Sequence, residues 1–465
     1  MTSADRRSSQ QLRSDALGLV ECIGQSVANI SPTLMPALNI AVVAGLAGSG
    51  SWLGFLLASV GILFVALNIS TLSKRHTLSG SYFIYIGRTV GPLAGMIAGW
   101  LMIGAYLGTA IAIALAEVLF LENLMASLGL KTFIPNPYLA LFGFVAVAGF
   151  SALRDVRLSA RFGLGLEVIS VVILVVITAV VVVQHGSVID LRQFDFSRIG
   201  YGGVMTSLAF AVFSFVGFES AATMARETRN PARNVGMAVT MSALLSGVFF
   251  VGMTYFMVLG MDGDTRALGE SSAPFVAMTE RAGLTAAGIA MYFGALISGL
   301  ACLLASLNAA SRMLFSMACY GYFARRLTTV HKRHQTPSVA VSLSAAVALI
   351  GGLATLQLGP LEAFGFAGTL ATFGFLAVYF LICLAAPLDQ FKAGTLSASH
   401  LLASGGGTLL MTFVILGSIY PVPPWPQKIL PLLFVVYLAV GTVWFYMITR
   451  RRPDLLRAIF SDRES

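Results

Sequence analysis

Apolar residues run in successive stretches of about 20 from one end of the chain to the other, which is the length an α-helix needs to cross a hydrocarbon core of roughly 30 Å. The pattern predicts an all-α polytopic membrane protein with twelve transmembrane helices. The predicted spans are 16–46, 52–72, 93–120, 138–153, 158–183 and 203–224, then 235–259, 284–317, 338–356, 363–386, 401–420 and 430–448, with only short loops between them. Residues 1–15 carry Arg6, Arg7 and Arg13, as the start of a signal peptide would. The apolar run behind them is too long for one and lacks a credible cleavage site, so it reads as a retained first helix.

Composition supports a lipid solvent. Only 11% of the 465 residues are charged, against roughly 25% in soluble domains. Lys and Arg concentrate in cytoplasmic loops, and with the N-terminus inside the split is 23 cytoplasmic against six outside: Lys131, Arg192, Arg198, Arg266, Arg281 and Lys428. Both termini are therefore expected in the cytoplasm, with the protein multi-pass in the cell (inner) membrane. The net charge of +9 then sits at helix ends beside anionic headgroups, and nucleic acid is not an expected partner. Cys22, Cys302, Cys319 and Cys383 show no pairing or metal-ligand spacing. His331 and His334 lie in a basic loop without a third ligand. The chain has no phosphate loop, HExxH or nucleophile elbow. No enzyme activity and no cofactor are expected.

Two spans are interrupted. The first, ECIGQSVANISPTLMPAL, holds Pro32 and Pro36, and Pro32 lacks a donor and clashes with the preceding turn. A break is expected near residues 29–33, where freed backbone is tolerated only inside protein or along a wet cavity. Asn29, Ser31 and Thr33 would line it; a simple proline kink is the alternative. The sixth span places Glu219 after Gly217 and a run of aromatic residues. An acid at this depth costs about 2.5–3.5 kcal/mol on insertion scales, so Glu219 is either a structural hydrogen-bonding group or a participant in substrate organisation or proton linkage.

The first and sixth spans open successive sets of five, and interrupted helices at matching places in two halves point to an inverted-repeat transporter. The expected divisions are 16–200 and 201–390 for the five-plus-five repeat, 391–449 for spans 11 and 12, and cytoplasmic tails at 1–15 and 450–465. The halves have no residue-by-residue similarity, so this division rests on topology.

The stretch FVGFESAATMARETRNPARNVGMAV resembles the sixth-helix signature of the amino acid, polyamine and organocation (APC) transporter superfamily. SGSYFIYIGRTVGPLAGMIAGW resembles that family's re-entrant segment before the third helix, SSAPF its loop before the eighth, and SLNAASRMLFSMACYGYFARRLTTVHKRHQTP the end of the eighth with its loop. The resemblance covers roughly residues 16–390 and implies the APC fold with spans 1 and 6 discontinuous. It places a substrate between spans 1, 3, 6, 8 and 10, its carboxylate at the first break and its ammonium at the sixth. The matching residues here are Ala28, Asn29, Ile30, Ser31 and Thr33, Tyr106, and Phe213, Ser214, Phe215, Gly217 and Phe218, with Phe213 as the gate and Glu219 as a coupling residue.

Two departures qualify what carries over. The glycine-rich GxG of many relatives is replaced by Asn-Ile-Ser-Pro, and the lysine that several relatives carry on helix 5 matches Ser170. Ser170, Ser306 and Ser311 are candidates for a sodium site, or for simple packing. Gly91, Gly95 and Gly99 form a small-residue stripe suited to helix packing. Glu21 and Glu167 either join a proton path or gate, or reach the interface. The expectation is secondary active transport of an amino acid or small amine, by proton coupling or exchange. A sodium symporter, a non-transporting solute receptor and a passive channel are the alternatives; oligomeric state is left open.

Overall fold

The computed structural model describes residues 12–13, 15–76, 82–197, 199–271, 273–420 and 425–460. Arg6, Arg7, Arg198, residues 79–81 and 272 of the matched motifs, and most of the N-terminal tail lie outside the described residues.

The first predicted span forms two helices, α1 (Leu19–Ile30) and α2 (Leu34–Ala47). Then follow α3 (Ser51–Arg75), the short α4 (Tyr82–Thr89), α5 (Pro92–Ser127), α6 (Pro137–Ala152), α7 (Val156–His185) and α8 (Tyr201–Phe213). A 3-10 stretch, Ser220–Glu227, leads to α9 (Pro231–Gly260), and α10 (Thr265–Glu270) and α11 (Pro274–Arg281) are short. The rest are α12 (Thr285–Cys319), α13 (Ser338–Thr355), α14 (Pro360–Lys392), α15 (Ala398–Ile419), α16 (Leu430–Arg451) and α17 (Asp454–Ala458). Among the described residues there is no strand, only an isolated bridge between Leu17 and Thr228.

Helix starts follow local chemistry. Proline, whose missing N–H is no loss in the first turn, opens α5, α6, α9, α11 and α14. Asp155 caps α7 by accepting from the amides of Arg157 and Leu158. Nine helical stretches among the described residues are long and apolar enough to cross a membrane. This differs from twelve because α2 and α3 run together as Leu34–Arg75, while Pro137–Ala152 and Tyr201–Phe213 are apolar but shorter.

Large apolar residues face outward as well as inward. Val168, Val172 and Val176 of α7, Leu409 and Phe413 of α15, and Val436 and Val440 of α16 are exposed. Serines, asparagines and several carboxyl groups are buried among the apolar core. Continuous apolar faces of this extent fit lipid. The chain is a multi-pass membrane protein. At its centre α5 packs against α12 and α14, and α3 against α9.

Arg312, near the end of the eighth predicted span, lies inside the 35-residue α12 with its side chain 1% exposed. It survives there because Glu227 accepts from Nε at 2.5 Å and Nη2 at 3.3 Å, and Asn308 Oδ1 accepts from Nη1 at 3.1 Å. Glu21, in the first turn of α1, pairs with Arg157 and Arg161 of α7.

Candidate functional site

At the first interruption α1 ends with Ser31 in the left-handed conformation, φ 55°. Pro32 follows without an N–H, and the ladder resumes where Met35 N donates to Ser31 O at 3.0 Å. The freed groups find partners on fixed neighbours. Ser306 Oγ donates to Asn29 Oδ1 at 2.7 Å, and Cys302 Sγ to the Asn29 carbonyl at 3.2 Å. The Ser31 and Ser298 hydroxyls bond at 2.7 Å, and Thr33 Oγ1 donates to Ser170 Oγ at 3.0 Å. Side chains of α12 and α7 thus hold this break open. Ala28 packs beside it with Ala301 and Ala305.

At the second, α8 stops at Phe213 and residues 214–219 form turns before the 3-10 stretch. Gly217 has φ 102°, a conformation that L side chains rarely adopt. Its lost Cβ is also what lets the two breaks meet, since a Cβ there would stand 2.6 Å from Asn29 Nδ2 and 2.8 Å from Asn29 O. Below Gly217, Ala221 N donates to Ser26 Oγ at 3.1 Å; above it, Asn39 Nδ2 donates to Ser214 Oγ at 2.9 Å.

Glu219 closes the arrangement. Tyr106 OH donates to Oε1 at 2.7 Å, Tyr379 OH to Oε2, and the Gly217 amide to Oε2 at 3.1 Å. Tyr82 OH of α4 holds the Glu219 carbonyl at 2.6 Å. A hydrogen bond to a charged group contributes about 1.5–3 kcal/mol, so these donors recover part of the cost of placing an acid at this depth.

The sequence-predicted residues divide by neighbourhood. Ala28, Asn29, Ile30, Ser31 and Thr33, with Tyr106, Ser214, Gly217, Phe218 and Glu219, are buried around the two breaks. Phe218 packs on Tyr379 at 5.3 Å between ring centroids. Phe215 turns away from them, against Phe250 at 5.0 Å. Phe213 lies over Gly368 of α14 and beside Phe364. It forms one wall of an uncharged cavity of about 440 Å³ between α2, α8, α14 and α15.

The three candidate sodium-site serines are not brought together. Ser170 lies level with Gly294 of α12, whereas Ser311 is about 25 Å further along that helix at 1.5 Å per residue and bonds its own helix through Asn308 O. Ser306 serves Asn29.

Sequence reasoning missed Tyr82, Tyr379, Ser298 and Glu117. The tyrosines carry no positional signal in apolar helices. Glu117, an acid within the third span, was open to the same argument that singled out Glu219.

Residues 21–456 match the family model described as amino acid permease. The chain is 24% identical to the branched-chain amino acid permease of Bacillus subtilis (strain 168) over 426 residues, 88% of each chain. It is 29% identical to the low-affinity putrescine importer of Escherichia coli (strain K12) over 371 residues, 75% of this chain and 78% of that one. A methylthioribose transporter of Bacillus subtilis (strain 168) is 24% identical over 430 residues, 88% of each chain. With a match of that length across all its interrupted and uninterrupted spans, the chain belongs to the amino acid permease family, within the APC superfamily.

Proposed function

We propose that this permease is a secondary active transporter that moves an amino acid or a small amine by alternating access, binding it where the two breaks meet. The observation that carries this reading is the buried Glu219 carboxyl group, held by Tyr106, Tyr379 and the amide of Gly217 two residues away, beside the point where Gly217 meets Asn29. Two tyrosine hydroxyls and the Gly217 amide fix the carboxyl group in one orientation beside the junction of the breaks, where a cationic group of the substrate would pair with it. Phe213, between this site and the uncharged cavity, serves as the gate. Of the relatives' named solutes, branched-chain amino acids and putrescine bear an ammonium group and methylthioribose does not.

The topology that goes with this reading is twelve spans in a five-plus-five inverted repeat, 16–200 and 201–390, followed by 391–449. Splitting Leu34–Arg75 at its 3-10 turn and adding the two shorter apolar helices to the nine long stretches gives that number. Spans two and seven (α3 and α9), and three and eight (α5 and α12), occupy matching places in the halves and pack on each other. The excess of Lys and Arg on one side supports cytoplasmic termini and residence in the cell membrane. Coupling is to protons or to a counter-substrate.

The test is uptake by the purified protein in liposomes of a panel spanning branched-chain and cationic amino acids and putrescine, with pH, sodium and counter-substrate gradients imposed separately. Accumulation of one panel member supports the reading. Binding without accumulation favours a receptor, uptake driven by sodium alone favours the sodium symporter, and no binding or flux across the panel sinks the substrate class.

A further inference from the structure

A groove of about 220 Å³ runs between α6 and α13, which pack along each other on the outside of the bundle. It is lined by Phe142, Gly149 and Phe150 of α6 and by Val341, Ala345 and Leu349 of α13, with Ser342 as the one polar side chain in its wall. Gly149 lets the helices approach, since a Cβ there would stand 3.2 Å from the Ala345 Cβ. Phe142 and Phe150 are 56% and 59% exposed, so the groove opens outward toward lipid. From Leu153, where its wall ends, to Phe142 the rise is about 16 Å at 1.5 Å per residue. That is about half of a hydrocarbon core of roughly 30 Å, the depth of one leaflet.

The end of the groove at Leu153 is its charged end. Arg154 follows, with its guanidinium carbon 4.4 Å from the centre of the Phe150 ring. Thr336 Oγ1 donates to the Leu153 carbonyl at 2.9 Å, which fastens the connection between α12 and α13 to the end of α6. Residues 331–336 of that connection close into a turn: His331 N donates to Thr336 O at 2.8 Å, and Gln335 N to His331 O at 2.9 Å. Lys332 and Arg333 are carried at its tip. His334 of the same turn lies within electrostatic range of Arg154, Arg333 and Asp155. Arg154, Lys332 and Arg333 are exposed and make no ion pair among the described residues, because the nearby Asp155 is taken by Arg13 and by the first amides of α7.

Three unpaired cations from two separate connections thus stand over one end of an apolar groove of one-leaflet depth. Each Lys or Arg beside a membrane favours an anionic headgroup by about fivefold, and a guanidinium fork matches phosphate oxygens. A helix is about 10–12 Å across and over this length would fill roughly 1,300 Å³, far more than the groove holds. A single acyl chain suits it.

We propose that this groove and Arg154, Lys332 and Arg333 form a binding site for one anionic phospholipid, with an acyl chain between α6 and α13 and the phosphate on the three cations. The inference stands on the membrane-spanning fold and does not depend on the transport reading. The test uses the full-length protein purified in detergent and mixed with dioleoyl-phosphatidylglycerol or dioleoyl-phosphatidylcholine, which share their chains and differ in headgroup charge. Retained lipid is counted by native mass spectrometry, and the thermal midpoint is followed in parallel. The wild type should retain phosphatidylglycerol at least tenfold better than phosphatidylcholine and should melt higher with it. The triple variant R154Q/K332Q/R333Q should lose that preference, and Ala346→Trp, which fills the groove and leaves the cations in place, should lose the retained lipid. Equal retention of the two lipids by the wild type, or a preference that survives the triple variant, overturns the site. Inorganic phosphate that raises the midpoint as far as phosphatidylglycerol, in the wild type and in A346W alike, overturns it in favour of a surface anion site. A wild-type dimer that A346W makes monomeric overturns it in favour of an interface between copies. If A346W does not fold, the triple variant decides, because backbone bonds hold the turn and its three side chains are exposed.

Discussion

The first and sixth spans are both interrupted, yet the interruptions are built by opposite means. Around Ser31–Thr33 the backbone is forced open by a proline and a left-handed serine, and hydroxyls of α7 and α12 hold it. Around 214–219 a glycine supplies the turn, and hydroxyls of Tyr82, Tyr106 and Tyr379 from α4, α5 and α14 hold the acid that follows it. Each break is thus tied to a different group of spans, and they touch through Asn29 and Gly217. On the proposed transport reading, relative movement of those groups of spans works directly on the site between them.

If this contact is what joins the breaks, Gly217→Ala should have the largest effect. The positive φ costs about 1–2 kcal/mol, and a methyl group 2.6 Å from Asn29 Nδ2 adds about 1–3 kcal/mol of overpacking. The expected outcome is a clear fall in the thermal midpoint of the detergent-solubilised protein and uptake reduced by roughly a hundredfold, on the scale of tenfold per 1.4 kcal/mol. Wild-type uptake in this variant would mean that the two breaks are independent.

Next in size is the acid. Glu219→Gln keeps the shape but replaces three charge-assisted bonds by neutral ones, roughly half as strong. It should weaken binding of ammonium-bearing substrates by roughly ten- to a hundredfold and alter the pH profile of transport. Tyr379→Phe removes one donor and keeps the charge, at about 1–3 kcal/mol. It should act more on stability than on discrimination between cationic and neutral solutes. Competition binding with matched cationic and neutral analogues separates the two, and equal losses for both analogues in E219Q would remove Glu219 from substrate recognition.

How much of this was legible in the sequence depends on the kind of signal. Pro32 is a local prohibition, so the first break could be read from it; Gly217 and Glu219 are expensive residues for a span, and they marked the second. The left-handed turn at Ser31 could not be read, because serine takes it only when hydroxyls from distant helices hold the break. Tyr379 lies 160 residues from Glu219, and nothing local distinguishes it from a packing tyrosine. The three-serine sodium site failed for the same reason. Sequence gives residue type but not height along the membrane, and Ser170 sits about 25 Å from the level of Ser311. The burial of Arg312 could not be read either, because its partner Glu227 is 85 residues away.

A smaller effect is expected where Asn29 meets α12. Ser306→Ala leaves Asn29 Oδ1 without its 2.7 Å partner, at about 1 kcal/mol, or roughly a fivefold rise in KM. Because Asn29 Nδ2 has no hydrogen-bond partner, Asn29→Ala also removes a free donor beside Gly217 and should cost more. A double-mutant cycle measures the part the two residues share. A coupling energy of zero would show that Ser306 does not position Asn29.

The finest discrimination is at Ser31, where backbone and side chain make separable contributions. Its φ of 55° is strained by about 1–2 kcal/mol in a non-glycine residue, and its hydroxyl bonds Ser298 at 2.7 Å. Ser31→Gly loses the bond, worth about 1 kcal/mol, but relieves the strain, so its thermal midpoint should lie close to that of the wild type. Ser31→Ala loses the bond and keeps the strain, and should be less stable than the glycine variant by about 1 kcal/mol. Both should still bind substrate, because the break itself is enforced by Pro32. Equal loss of substrate binding in both variants, despite their different stabilities, would show instead that the Ser31 hydroxyl itself contacts the substrate.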